Sequence, residues 1–269
     1  MTPSSIPSSS MRQVVNAPTR GPRVGRLGWS LISLLALIAL WELAALIAQS
    51  RYLPGPLAVF DVMVREAEAG ELWGNIGATL IRVAFSFVIA MFIGSAIGVA
   101  LGRYPKADRF FDAWLIFFLN LPALVIIVLC YIWFGLTEVA AITAVAINKI
   151  PNVAVTMREG TRSLSKDLNE MAHIYRFGWW KTLRHVTLPQ LAPFFAAASR
   201  SGLALVWKIV LVVEAFGRSD GVGHQLNIAF QLFDVPMILS YALAFIVVVQ
   251  IIELAILQPL IARANKWRR

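Results

Sequence analysis

A chain of 269 residues with 58% hydrophobic and only 14% charged residues lies outside the range of soluble domains, which carry about 45–50% and about 25%. A polytopic membrane protein is therefore expected, in keeping with a mean hydropathy of +0.71. The net charge of +9 does not point to nucleic acid, because the basic residues lie between apolar runs. The single cysteine, Cys130, sits inside such a run and excludes an intrachain disulfide or a cysteine-based metal site.

Residues 1–28 are rich in Ser, Pro, Gly and Arg and read as a disordered cytoplasmic tail. Residues 29–269 read as the membrane domain. The first apolar run, 29–48, is too long for a signal-peptide core and no small-residue cleavage site follows, so no cleavable signal is expected. Residues 49–75 break the hydropathy with Leu53-Pro54-Gly55-Pro56 and an acidic amphipathic piece. Further spans are expected at 76–101, 110–134, 139–157, 191–213 and 236–261. Each approaches the ~20 residues that cross a ~30 Å hydrocarbon core. Spans in lipid must satisfy their own backbone, so the fold class is all-α with six transmembrane helices. Pro122, Pro151 and Pro193 fall in or at the start of spans and can kink them.

Lys and Arg placement orients the chain. The basic clusters are Arg12 to Arg26, Arg103 to Arg109, Arg158 to Arg184, and Arg263 to Arg269. With six spans they all fall on one side. The opposite loops carry only Arg51, Arg65 and Arg218, among seven acidic residues. Both termini are expected in the cytoplasm.

Chemistry-bearing motifs are few. There is no GxxxxGK[ST] loop, no HExxH and no GxSxG. His173 and His185 lie across the membrane from His224, so they form no ligand cluster. No catalytic group, metal or cofactor is expected. Gly94, Gly98 and Gly102 make a small-residue stripe, which serves packing within one subunit or a homodimer seam. Arg82 and Lys149 are placed near span ends, where they could snorkel. Lys208 is different. It sits deep in the fifth span, where an ammonium costs roughly 2.5–3.5 kcal/mol. It either lines a path for an anion or pairs with an acid on another span, such as Glu253.

The basic loop 158–190 carries two apolar stripes. Leu168, Met171, Ala172, Ile174 and Tyr175 form one, and Trp179, Trp180, Leu183 and Val186 the other, broken near Gly178. Two short helices at an angle would present a cytoplasmic knob for another protein. An interfacial helix lying on lipid has the same composition.

Glu170-Met171-Ala172, followed at the right distance by Leu188-Pro189, resembles the EAA loop of ABC importer permeases. Leu53-Pro54-Gly55-Pro56, Asn120-Leu121-Pro122, Trp133-Phe134-Gly135, the set Arg200, Trp207 and Glu214, and Ser219 to Gly223 resemble the nitrate/sulfonate/taurine branch. The resemblance covers roughly residues 50–262. It implies a type I (MetI-like) permease in the bacterial inner membrane, working as a homodimer with two copies of a separate ATPase subunit and a solute-binding protein. Glu170, Met171, Ala172, Gly178, Leu188 and Pro189 would then couple to the ATPase. Arg200, Trp207 and Lys208 would line the path of a small anion. In the family a glycine stands where this chain has Arg176, so the turn between the coupling helices is expected to shift toward Gly178. Lys208 replaces an expected apolar residue. The competing class is an ATP-independent channel or secondary transporter, in which the ordered loop has no job.

Overall fold

The computed structural model describes residues 23–259. Most of the expected tail, residues 1–22, and the terminal basic cluster lie outside the described residues. The last part of that tail is helical: α1 spans Arg23–Ala48. The chain divides after Gln49 into two compact units, with α1 in the first and everything below in the second.

The second unit starts with α2, Pro56–Glu68, whose Pro56 opens the helix where a missing N–H is harmless. Gly70, at φ 82°, turns the chain into α3, Glu71–Arg103, 33 residues long. The expected third span is two helices, α4 (Pro105–Asn120) and α5 (Ala123–Phe134), bent by 94°. The cause is local. Pro122 has no N–H and drives Leu121 out of helical geometry, to φ −68° and ψ 127°. Five described helices are long and apolar enough to span, or six if the bent pair counts as one.

Thr137 caps α6, Glu138–Arg162, by accepting the Ala140 N–H. Pro151 lies inside this helix without ending it. Helix α7 covers Lys166–Ile174 and α8 Trp179–Thr182. A π-helical turn, Leu183–Thr187, then joins α8 to α9, Leu188–Gly217, so that Trp179–Gly217 is one 39-residue helix. Leu188-Pro189 therefore falls inside that helix and marks no break between the knob and the fifth span. Pro189 sits at the head of α9 and leaves it unbroken. Short α10 (Val222–Gln231) leads to α11 (Val235–Ile252), capped by Asp234, and a final π turn, Glu253–Leu257.

Helices α3, α6 and α9 form the core of this unit, around Val83, Val145, Val206 and Val210. The glycine stripe is what lets α3 and α6 touch. A Cβ on Gly94 would come 2.7 Å from the Val153 Cβ, and one on Gly98 2.7 Å from the Met157 Cβ. One on Gly102 would come 2.8 Å from the Arg158 carbonyl. The stripe therefore faces α6 within the same copy, so it serves packing within one subunit and not a seam between copies.

Candidate functional site

Three sites follow one another from the basic end of the spans to the other.

The first is the knob formed by α7, α8 and the π turn. Ser165 opens α7 by accepting the Leu168 N–H, and the Ser165 N–H donates to Gln190 Oε1 at 2.9 Å, tying α7 to the head of α9. Ala172 is buried, and α7 leans on the π turn that carries buried Val186. Arg176 ends α7. Its φ is +49°, and the Phe177 N–H reaches the Ala172 carbonyl at 2.8 Å while the Arg176 N–H reaches His173 at 3.0 Å. This is the 6→1 and 5→2 pattern of a Schellman ending. The turn has not shifted. Arg176 takes the left-handed conformation itself, and Gly178, at φ −64°, merely precedes α8. Ile174, Tyr175, Trp179, Trp180 and Leu188 are exposed, as is the Glu170 side chain. Met171 is exposed as well, and Pro189 is partly covered.

The second site is a cavity of ≈ 300 Å³ between α9 and α11. It gathers all three residues the sequence set apart for a path: Arg200, Trp207 and Lys208. Trp207 packs edge-on against Phe245, with ring centroids 5.7 Å apart. Gln250 and Glu253 line the far wall. Among the described residues neither Lys208 nor Glu253 is in an ion pair or hydrogen bond. The axial register explains this. Trp207 and Phe245 are level, α11 runs back along α9, and Glu253 lies eight residues, about 12 Å, further on. That puts it level with Arg200 rather than Lys208.

The third site lies at the opposite end and was missed in the sequence. Glu214 is fully buried and accepts three hydrogen bonds: from Arg82 Nη1 at 2.8 Å, Thr79 Oγ1 at 2.9 Å and the Gly223 N–H at 2.9 Å. Arg82 also donates to Glu138 at 2.6 Å and to Asp220. Arg218 joins through Glu138 at 2.6 Å. Asn75 accepts the Gly221 N–H and Thr79 the Val222 N–H, so the head of α10 is fastened to α3. Gly221 is at φ 102°, and its Cβ would strike the Glu214 carboxylate. Arg82 therefore does not snorkel, and it is only 3% exposed. Lys149 does not snorkel either: it lies in the middle of α6 and is 1% exposed. The available signal was an arginine and a glutamate, each inside an apolar run, which lipid tolerates only when they meet.

Residues 76–266 match the family described as binding-protein-dependent transport system inner membrane component. The chain belongs to that family. Among curated relatives it is 26% identical to the aliphatic sulfonates transport permease protein SsuC of Bacillus subtilis (strain 168), covering 98% of this chain and 95% of the relative. It is 23% identical to the taurine transport system permease protein TauC of Escherichia coli (strain K12), covering 92% of each. It is also 26% identical to the bicarbonate transport system permease protein CmpB of Synechococcus elongatus, covering 75% and 76%. The fold is that of the inward-facing MetNI methionine ABC transporter, at TM-score 0.56 and 18% identity, over 73% of this chain and 95% of that one. The chain is thus a multi-pass inner-membrane permease subunit of an ABC importer, in the branch that holds these relatives, and it has the MetI-like fold.

Proposed function

We propose that two copies of this permease form the path of an importer for a small organic or inorganic oxyanion. A solute-binding protein delivers the solute from outside, and two ATPase subunits dock on the knob inside. The observation that carries the anionic solute is the α9–α11 cavity, whose wall within a membrane span holds the exposed Lys208 and Arg200 side chains, neither bonded to a counter-ion among the described residues. The sulfonate, taurine and bicarbonate names of the relatives support the same class. The Lys/Arg asymmetry supports a cytoplasmic location for the knob and both termini.

The mechanics follow from one continuous helix. ATPase closure pushes on α7 and on the exposed Trp179–Trp180 edge. The helix beginning at Trp179 is the one that carries Arg200, Trp207 and Lys208. A rigid-body push at the knob therefore reaches the cavity wall directly and switches its access.

The test is uptake of radiolabelled taurine, ethanesulfonate and bicarbonate by the complete system in proteoliposomes. ATP-dependent, binding-protein-dependent uptake of at least one is expected. Lys208→Met should assemble normally and lower uptake at least tenfold, because a desolvated anion loses its compensating charge (about 1.4 kcal/mol or more). Normal uptake by that variant removes Lys208 from the path. Ala172→Arg should abolish ATPase pull-down. Uptake that runs without ATP would instead select the channel or secondary-transporter reading.

A further inference from the structure

The middle of α6 carries polar residues that neither the knob nor the α9–α11 cavity uses. Asn148, Asn152 and Thr156 recur every four residues, so they share one face. All three are half-buried. They lie ten or more residues from the helix start at Glu138, about 15 Å or more along the axis. A polar face at that depth does not look at lipid; it looks into the bundle or a wet cavity.

Lys149 stands behind this face. It is 1% exposed, and its Nζ donates to Asn152 Oδ1 at 2.7 Å, its one hydrogen bond among the described residues. No carboxylate pairs with it there. Gly202 of α9 makes the room: a Cβ at that position would come 2.7 Å from the Lys149 Cε and 3.3 Å from its Nζ. The ammonium fixes the neighbouring amide. Lysine has only donors, so Asn152 must turn its carbonyl to Nζ and its NH2 the other way. That NH2 has no partner among the described residues. One turn earlier, the buried Asn148 Nδ2 has none either. The cluster is thus rich in donors, carries a positive charge, and holds no acid.

The geometry points to an oxyanion-binding subsite on α6, in which Asn152 Nδ2 contacts the solute and Lys149, buried behind the amide, supplies the charge. It rests on the reading of the solute as a small oxyanion and adds a mid-membrane station that the α9–α11 cavity does not include. The chemical class is a monoanion with two or three equivalent oxygens: a sulfonate, a carboxylate or bicarbonate. Asn152 is the contact residue and Lys149 a positioning residue.

The permease–ATPase complex in detergent tests this, with sodium ethanesulfonate as the probe against sodium chloride at equal ionic strength. Thermal unfolding is followed over a concentration series. The unmodified complex should be stabilised by ethanesulfonate specifically. Lys149→Met and Asn152→Leu should raise the half-effective concentration at least tenfold. Asn152→Asp is the decisive variant. It keeps, and strengthens, the bond to Lys149, so a purely structural role predicts a normal anion response. The subsite predicts that the response disappears, because a carboxylate now occupies the anion's place. An unchanged response in Asn152→Asp overturns the inference. If the response is lost in Lys208→Met but kept in Asn152→Asp, the anion sits in the α9–α11 cavity; the broader reading then stands and this one falls. No response to ethanesulfonate, taurine or bicarbonate in the unmodified complex, together with no uptake, sinks both.

Discussion

Glu214→Gln is the sharpest test of the buried ion cluster. The carboxylate accepts at both oxygens: Arg82 Nη1 at Oε1, and Thr79 Oγ1 and the Gly223 N–H at Oε2. Glutamine fits the same space but has one acceptor oxygen. With its carbonyl at the Oε2 position, its NH2 faces the Arg82 guanidinium, donor against donor. With the carbonyl turned round, the NH2 faces the Gly223 N–H. Either way at least one bond is lost, and the one to arginine is charge-assisted, worth about 1.5–3 kcal/mol. Breaking a buried pair by changing one partner costs roughly 3–5 kcal/mol. Arg82 keeps Glu138 and Asp220, so the low end, about 3 kcal/mol, is expected.

Soluble domains of this size lose about 2–4 °C of unfolding midpoint per kcal/mol, which gives roughly 6–12 °C. The chain supplies its own reporter, because Cys130 is 1% exposed and is the sole cysteine. A thiol-reactive dye therefore reads unfolding of the detergent-purified permease. Glu214→Ala, which removes every acceptor, should fall further than Gln. A Gln variant within about 2 °C of the unmodified protein would refute the account of Glu214 as the fastening point.

Arg176→Gly should raise stability by roughly 1 kcal/mol, because a side chain at φ +49° pays a left-handed penalty that glycine escapes; Arg176→Ala should bring no gain in the same dye assay. Gly98→Leu should prevent α3 from reaching α6, since even a Cβ meets the Ala154 carbonyl and the Met157 Cβ. Loss of folded protein is the expected readout, and a normal yield would discount the stripe as a contact. In a Cys130→Ser background, cysteines at exposed Glu68 and Asp220 should react with an impermeant thiol reagent from outside, and those at exposed Lys106 and Lys166 should not. Labelling of either of the last two in intact spheroplasts would invert the topology.

What the sequence could reveal follows from the range of each interaction. Apolar runs are local, so the spans and the two stripes of the knob were legible. The 94° bend was half legible: Pro122 announces a break but not its angle, which depends on what α4 and α5 each pack against. The ion cluster was not legible, because Arg82 and Glu214 are 132 positions apart and nothing local pairs them. Lys208 misled in the opposite way. Its obvious acid, Glu253, lines the same cavity but stands level with Arg200, and only the Trp207–Phe245 contact sets that register. Arg176 shows a tertiary override of residue preference. Ser165–Gln190 and the buried Ala172 hold α7 on the π turn, so the chain must reverse there whether or not a glycine is present.

On the proposed coupling, the helix Trp179–Gly217 would be pushed at one end while Glu214 fastens the other, which predicts a graded opening. Glu214 ties its far end to α3 through Arg82 and Thr79, and to α10 through Gly223. That anchor is a pivot. At 1.5 Å per residue the knob edge at Trp180 lies about 50 Å from it, Arg200 about 21 Å and Lys208 about 9 Å. A rigid swing of ~5 Å at the knob then moves Arg200 by roughly 2 Å and Lys208 by roughly 1 Å. The cavity should therefore widen first at its inner mouth, beside Arg200 and Glu253, while the Lys208 level stays nearly still. Spin labels at Leu205 and at Phe195, both exposed, compared across the two copies with and without a trapped ATPase, read this directly. The Phe195 distance should change about twice as much as the Leu205 distance, since the two lie roughly 28 Å and 14 Å from the pivot. Equal changes at both would mean that α9 translates as a whole, and Glu214 could not then be a fixed point.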